Sequence, residues 1–365
     1  MREPHPPTEA IVSTSPGPRV HGGVHSILDH PSPYLFIDAC MQIWPDADFP
    51  NLHRHGATAF AVTAWRPRTD LDGALRDCLE WHRLARRYPN LVVVDGVQDI
   101  RRARDDGRAA LVLAAQGGDW IGKDLYRIEA LYRLGLRMML PAYNASNLIC
   151  DGCLDRSNGG LTRFGQLVVD ECNRLGIVLD GTHVGKRSSL EIIDRSAKPC
   201  VFSHSNPSAL VPNPRNIDDE QIAACLARGG VVALAPWGPL VLGPDMTRRP
   251  TVDDFIDLVD HVAALAGDTE HIAIGTDASI GTYPEYWHDP WGEPDYPAVT
   301  ARYDAVVTPD RRSALRQVEG FDDYAEIEVF AARFLERGYS DEDVHRILGG
   351  NLLRVFEAVW VDRPR

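Results

Sequence analysis

The chain has 365 residues, of which 44% are hydrophobic and 25% charged, a composition typical of a globular protein with a large buried core. It carries 52 acidic and 38 basic residues, and the resulting net charge of −14 disfavours binding to nucleic acids and anionic membranes. No apolar run reaches the length of a membrane span or resembles a signal peptide. The seven cysteines are an odd number spread over a long chain, which favours reduced thiols. We therefore expect a cytoplasmic protein that binds neither nucleic acid nor membrane.

Residues 1–33 are rich in proline, which favours an extended or flexible N-terminal arm. Beyond this arm, short apolar runs alternate with amphipathic stretches whose apolar residues recur every three or four positions. Eight runs predict strands, at residues 34–39, 57–64, 110–115, 137–141, 177–180, 199–203, 231–235 and 271–276. Helices are predicted between them, at residues 71–87, 124–134, 163–175, 188–196, 218–228 and 253–266. This alternation predicts that residues 34–365 form a single α/β domain, a (β/α)8 TIM barrel.

Three further stretches complete the predicted organisation. The apolar run 91–94 is either a ninth strand or part of a crossover, and the sequence does not distinguish these two. Residues 281–298 predict a long loop, whose aromatic side chains could form an apolar lid: Tyr283, Tyr286, Trp287 and Trp291. Residues 324–356 predict a helical end in which Ser340 caps a helix.

Polar residues of the kinds that bind metals or transfer protons follow six of the predicted strands. In a (β/α)8 barrel the active site is built at the carboxyl ends of the strands, so these side chains are expected to meet there. They are Cys40, Gln42, Gln116, Tyr143, Asn144, His183, His204 and Asp277. One such residue alone would more often be structural than functional, but six strands that end this way indicate an active site.

Five separated segments agree in order and spacing with a known family. They are residues 116–139, 160–184, 202–234, 271–278 and 337–356. In these segments the chain resembles the membrane dipeptidase, or renal dipeptidase, family of the amidohydrolase superfamily. The resemblance implies an amidohydrolase-like barrel that hydrolyses dipeptides with two zinc ions, and it also implies a homodimer.

The resemblance assigns roles to several of the residues at the strand ends. His183 and His204 match the two histidines that bind one of the zinc ions, and Asp277 matches the aspartate after the eighth strand. Arg215 matches the arginine that binds the substrate's carboxylate, a role suited to a bidentate guanidinium group. We place Asn144 beside it as a second candidate substrate-binding residue.

The chain departs from the family at the remaining metal-binding positions. Cys40 and Gln42 stand where the family has His and Asp, and Gln116 stands where it has a bridging Glu. A neutral amide offers one weak carbonyl donor, so Gln116 cannot bridge two dications as a carboxylate does. Tyr143 replaces a histidine expected to polarise the scissile carbonyl, and its phenol is a candidate donor or acid.

Two metal states follow from these replacements. One zinc ion could be held by His183, His204, Cys40 and Asp277, or the pocket could bind no metal. His53 and His55 are less favoured as extra ligands, because a solvated loop before the second strand is the simpler interpretation. Cys40 could also act as a nucleophile activated by a neighbouring histidine, although a buried cysteine is more often only packing.

The favoured hypothesis is a dipeptidase-like hydrolase acting on a dipeptide or an N-acyl amino acid. Asp277 would be its general base and Arg215 its carboxylate anchor, with a metal site reduced to one zinc ion or lost. The alternatives are a metal-independent acid/base enzyme of amino-acid-derived biosynthesis, and a catalytically silent homologue. The metal-independent enzyme would be an isomerase, epimerase, lyase or condensing enzyme that uses Asp277, Tyr143, His183 and His204.

Overall fold

The structure is a computed structural model that describes residues 32–243, 247–281, 317–321 and 324–360. The predicted arm, residues 1–33, lies outside these ranges apart from Ser32 and Pro33, and the predicted aromatic loop, residues 281–298, lies outside them apart from Gly281. No helix of the described residues combines the length and the apolar character needed to cross a membrane.

The described residues form ten strands. They are β1 (Ile37–Ile43), β2 (Ala59–Thr63), β3 (Leu91–Val93), β4 (Ala109–Gln116), β5 (Leu136–Leu140), β6 (Val178–Leu179), β7 (Val201–Phe202), β8 (Val231–Leu234), β9 (Ile272–Ile274) and β10 (Ala278–Ile280). The helices that alternate with them are α1 (Leu71–Arg87), α2 (Val97–Asp105), α3 (Tyr126–Arg133), α4 (Arg163–Leu175), α5 (Lys186–Arg195), α6 (Asp219–Ala227), α7 (Gly238–Val241) and α8 (Val252–Ala266). The helical end comprises α9 (Glu328–Glu336), α10 (Asp341–His345), a π-helical turn Arg346–Gly350 and α11 (Asn351–Val359).

The strands pair in parallel and close into a barrel. Two strips of sheet run in the orders β10-β1-β2-β4-β5-β6 and β7-β8-β9. A parallel bridge between Asp180 and Val201 joins the strips. The ring closes between β9 and β1, where the backbone amide of Asp277 donates to the carbonyl of Cys40 at 2.8 Å. The predicted (β/α)8 barrel is therefore confirmed.

The run 91–94, which the sequence left open, forms the additional strand β3. It pairs with the first three residues of β4, Ala109 to Leu111, whereas β5 pairs with the second half of the same strand. Because β2 pairs along β4 as well, β3 lies beside the ring and is not one of its eight members.

The predicted helices agree with the structure where a capping residue marks their start. The side chain of Asp70 accepts a hydrogen bond from the amide of Gly73, and that of Thr162 accepts one from Gly165, at the starts of α1 and α4. Ser340 caps α10 in the same way, as predicted, by accepting from Asp343. These side chains satisfy amide groups that would otherwise lack a partner at the helix N-terminus.

The last helix covers the amino ends of the strands. Asn351 donates to the carbonyls of Thr269 and Ile272 at the start of β9, and Arg354 donates to the carbonyl of Gly229 just before β8. This end of the barrel is therefore occupied by structural contacts, and the opposite, carboxyl ends are left to form a site.

Candidate active site

The structure places the sequence-predicted residues at the carboxyl ends of the strands. Cys40 and Gln42 lie within β1, which begins and ends later in the chain than predicted, and Gln116 is the last residue of β4. The other predicted residues lie in the segments that directly follow strands. They are Tyr143 and Asn144 after β5, His183 after β6, His204 after β7 and Asp277 after β9.

Three of these residues form a candidate metal-binding group. Cys40, His204 and Asp277 each offer one ligand atom, and these atoms all lie within 4.8 Å of one another. Cys40 and His204 are buried, and Asp277 is partly exposed. A thiolate, an imidazole and a carboxylate are all ligands of zinc, and three protein ligands are the usual number in a catalytic zinc site. His183, predicted as a fourth ligand, lies outside this group.

His183 instead forms a pair with His204. Their Nε2 atoms lie 2.9 Å apart, and Nδ1 of His183 faces Asn144 Oδ1 at 2.7 Å. Burial and the nearby Arg215 guanidinium hold the pKa of both histidines well below the usual range, so both rings are neutral. One of the two Nε2 atoms must carry a proton in this contact, because two bare acceptors repel each other. Both Nε2 atoms can bind one metal ion only if this proton leaves the Nε2 atom that carries it.

Tyr143 packs against the histidine pair. Its ring stacks on that of His183 with 3.9 Å between the centroids and 25° between the planes. Asn144, His183 and Asp277 all have positive φ angles, of 61°, 64° and 48°. Such backbone conformations are costly for residues other than glycine, and they cluster at functional sites.

The two glutamines fill the positions of lost carboxylates with amide donors. Gln116 Nε2 donates to Cys40 Sγ and to Thr63 Oγ1, both at 3.0 Å. Gln42 Nε2 donates to Asp277 Oδ1 at 3.1 Å. The N–H groups of the two glutamines therefore face Cys40 Sγ and Asp277 Oδ1. A second dication would need negatively charged oxygen atoms at these two positions. These residues do not fit the family's two-zinc site.

A buried carboxylate that the sequence analysis missed supports β1. Asp38 Oδ1 accepts from the amides of Cys40 and Thr276, while Oδ2 accepts from the hydroxyls of Thr276 and Tyr324. Burial raises the pKa of Asp38 to about 6, and these hydrogen bonds oppose the shift. Because Thr276 directly precedes Asp277, Asp38 fixes two of the candidate ligands relative to each other.

Asp180, which directly follows β6, plays the equivalent role where the two strips of sheet meet. Its Oδ1 accepts from the amides of Thr182 and Ser203, and its Oδ2 accepts from the Ser203 hydroxyl. Ser203 Oγ also lies 2.7 Å from Nδ1 of His204 and so orients that ring. The sequence does contain a signal for both aspartates, because each is a charged residue at the end of an apolar run. Asp38 lies two residues before Cys40, and Asp180 lies three residues before His183.

Arg215 lies in the same pocket with part of its guanidinium unused. The residue is 5% exposed, and its Nη2 donates to the carbonyl of His204 at 3.4 Å. Its Nη1 is buried and has no hydrogen-bond partner among the described residues. Burial lowers its pKa, and Cys153, Asp277 and Asp180 oppose that shift. A buried cation with a free donor is a suitable site for an anionic group.

Two further cysteines and two further histidines that the sequence singled out lie at different distances from the site. Cys150 and Cys153 are free thiols, and Cys153 donates to Asn144 Oδ1 at 3.4 Å, which places it at the edge of the site. His53 and His55 precede β2 and therefore lie away from the strands' carboxyl ends. The expectation of a solvated loop there is wrong for His55, which is 1% exposed.

The surroundings of Cys40 oppose its role as a nucleophile. Burial, together with the charges of Asp277 and Asp38, raises the pKa of the thiol well above its usual range. The reactive form of cysteine is the thiolate, so the uncharged thiol favoured here is a poor nucleophile.

Comparison with known families agrees with this arrangement. The family model for membrane dipeptidase, peptidase family M19, matches residues 46–302 and 310–362 of the chain. The chain belongs to the membrane dipeptidase family. The relatives matched by sequence include named dipeptidases, so the chain is an enzyme of a dipeptidase-like hydrolase family.

Individual relatives span most of the chain. Dipeptidase tcpJ of Claviceps purpurea is 26% identical over 322 residues, which cover 84% of this chain and 67% of that protein. An amidohydrolase from Pseudomonas aeruginosa has a similar structure, with a TM-score of 0.77, 26% identity and coverage of 90% of this chain and 97% of its own. The metallopeptidase dipeptidase AC shares the fold, with a TM-score of 0.70, 20% identity and coverage of 89% and 99%.

Proposed function

We propose that this protein hydrolyses the amide bond of a small substrate that carries a free carboxylate, either a dipeptide or an N-acyl amino acid. The observation that carries the proposal is the buried guanidinium of Arg215 with its unpartnered Nη1. A carboxylate accepts two parallel hydrogen bonds from a guanidinium and neutralises its charge. Membership of the dipeptidase family supports the amide bond as the group that reacts.

The residues fit one zinc ion better than two. Cys40, His204 and Asp277 would hold it, with His183 available only after the bond between the two imidazoles breaks. A zinc ion bound there would lower the pKa of a bound water and polarise a carbonyl. The bridging position offers the N–H of Gln116, which supports a reduced site.

The side chains of the site divide the remaining work. Arg215 binds the carboxylate and so orients the substrate. Asp277 is the candidate general base, and the N–H of Gln42 holds its Oδ1 in place. Tyr143 closes one wall against His183 and is the candidate donor to the leaving group. The neutral, buried histidine pair supplies a low-dielectric surface on which such hydrogen bonds are strong.

A paired-substrate assay tests this proposal. Dipeptides and N-acyl amino acids are compared with the same compounds capped as C-terminal amides, with chromatography measuring hydrolysis. We expect the free acids to be preferred about 100-fold in kcat/KM, because capping removes a charge-assisted pair. Arg215→Lys should abolish most of this preference. The exposed Arg101→Lys, which lies in a surface ion pair with Glu357, is the matched control and should preserve it.

Three results would contradict the proposal. Hydrolysis of amidated and free substrates at equal rates would exclude a carboxylate anchor, and so would a preference that Arg215→Lys leaves unchanged. Absence of hydrolysis across the panel by protein loaded with zinc would exclude the amide hydrolase itself.

A further inference from the structure

A groove opens beside the candidate catalytic residues at the carboxyl ends of β1 and β2. It has a volume of about 440 Å³ and is bounded by the ends of these strands and by α1. Aromatic side chains make up much of its wall: Trp44, Phe49, Trp65, Trp81 and Tyr88. Concave surfaces of this size with apolar walls are typical small-molecule sites. We call this surface the aromatic groove.

The aromatic groove borders the candidate active site through two of its lining residues. Gln42 lines the groove, and its Nε2 donates to Oδ1 of Asp277. Thr63 also lines the groove, and its hydroxyl accepts from Gln116, which in turn contacts Cys40. Gln42 therefore lies between Asp277 and the groove, and a substrate bound at Asp277 would reach the groove by passing this side chain.

Two polar atoms of the groove lining are buried and unpaired. The indole Nε1 of Trp65, a residue that is 3% exposed, has no hydrogen-bond partner among the described residues. The same holds for Oε1 of Gln42. By contrast, Nε1 of Trp81 donates to the carbonyl of Ala64 at 2.9 Å and serves the fold. An unpaired donor and an unpaired acceptor are costly to bury, and a ligand that offers both kinds of group removes that cost.

The charges of the groove favour an uncharged occupant. Asp77 and Glu80 contribute two negative charges to the lining, and Arg66 and Arg87 contribute two positive charges. These groups offset one another, unlike the unbalanced cation at Arg215. Flat aromatic walls without net charge bind aromatic rings by burial and stacking.

We propose that the aromatic groove is the specificity subsite of this enzyme, and that it binds an uncharged aromatic group on the part of the substrate remote from the carboxylate. This inference rests on the proposed function for the position of the carboxylate at Arg215. It narrows the substrate class to N-arylacyl amino acids and to dipeptides with an aromatic residue at the end away from the carboxylate.

The test measures equilibrium binding and needs no turnover. The probes are 4-oxo-5-phenylpentanoate and 4-oxopentanoate, in which a methylene replaces the amide nitrogen so that no bond can be hydrolysed. Isothermal titration calorimetry gives the dissociation constant of each probe for the full chain. We expect the phenyl compound to bind at least about tenfold more tightly, since its ring is removed from water in the groove.

Two substitutions on α1 test whether the preference for the phenyl probe arises in the aromatic groove. Leu84 lines the aromatic groove, and Leu84→Trp fills it, so the two probes should then bind alike. Leu79 lies on the same helix, is 46% exposed and does not line the groove, so Leu79→Trp should keep the preference. Trp65→Phe keeps an aromatic ring at this position and removes the unpaired N–H. This variant should also keep the preference for the phenyl probe.

The outcomes separate this inference from the proposed function. Equal affinity of the wild-type protein for the two probes overturns the inference, as does a phenyl preference that survives Leu84→Trp. Undetectable binding of the phenyl probe overturns it as well. A groove-dependent preference in a protein that hydrolyses none of the amide substrates would overturn only the proposed hydrolysis.

Discussion

Gln116 shows how a single side chain changes what the site can bind. Its Nε2 donates to Cys40 Sγ and Thr63 Oγ1, so the amide stabilises the pocket without any ion. A glutamate in the same place would lose both donated hydrogen bonds and would bury a charge beside Cys40. Buried, unpaired charges are strongly destabilising, whereas a bound cation compensates them.

This contrast predicts a metal-dependent stability for the variant Gln116→Glu. In the presence of chelator its free energy of unfolding should fall by about 3 kcal/mol, because the new carboxylate has no cationic partner. Added zinc should recover most of this loss, which thermal unfolding with and without zinc would show. Gln221→Glu is the control, since Gln221 is also buried but donates to Ser189 Oγ away from the site. A loss that zinc leaves unchanged in Gln116→Glu would contradict the assignment of this position.

The candidate site residues could be identified from the sequence, while the residues that support them could not. Cys40, His204 and Asp277 were recognisable because reactive residue types followed apolar runs and matched a family pattern. Asp38 and Asp180 were overlooked because an isolated aspartate in such a run does not reveal its partners. Those partners, such as Tyr324 for Asp38, lie far away in the chain and are set by tertiary packing.

At the level of elements, helix boundaries were predicted best where the local chemistry decides them. A cap such as Asp70 or Thr162 acts within three residues, so the sequence contains the whole signal. The first strand was placed at 34–39 but runs Ile37–Ile43, because its second half pairs with β10. That pairing joins residues more than 230 positions apart, and no local pattern reports it.

The start of α8 offers a test of capping by pH. Thr251 and Asp254 form a reciprocal capping box, and Arg248 holds the pKa of Asp254 at about 2. A carboxylate with a lowered pKa stabilises the folded state above its unfolded pKa of about 3.9, and this contribution is lost as pH falls towards 2. Asp254→Asn should therefore reduce stability by up to about 1 kcal/mol at neutral pH, with the difference shrinking below pH 4. Urea unfolding of both proteins across this pH range measures it, and a difference independent of pH would contradict the assigned ion pair.

In the molecule as a whole, structural contacts lie at one end of the barrel and the candidate functional residues lie at the other. The amino ends are covered by α11, and the carboxyl ends hold the candidate ligands, the carboxylate anchor Arg215 and the aromatic groove. The alternation of strands and helices predicted this architecture, and the family membership confirms it. The sequence could not show which ligand atoms converge, because the positions of His183 and Asp277 depend on left-handed backbone turns. The homodimer that the resemblance implies stays a prediction.

The central claim is that the family's two-metal site has become a one-metal site at Cys40, His204 and Asp277. Elemental analysis of protein saturated with zinc and then freed of excess metal tests it most directly. We predict about one zinc per chain, lost in Cys40→Ala and in His204→Ala but retained in Cys225→Ala, which removes a buried thiol elsewhere in the barrel. Two zinc ions per chain would contradict the claim. No bound zinc would contradict it as well, and would favour the metal-independent acid/base enzyme instead.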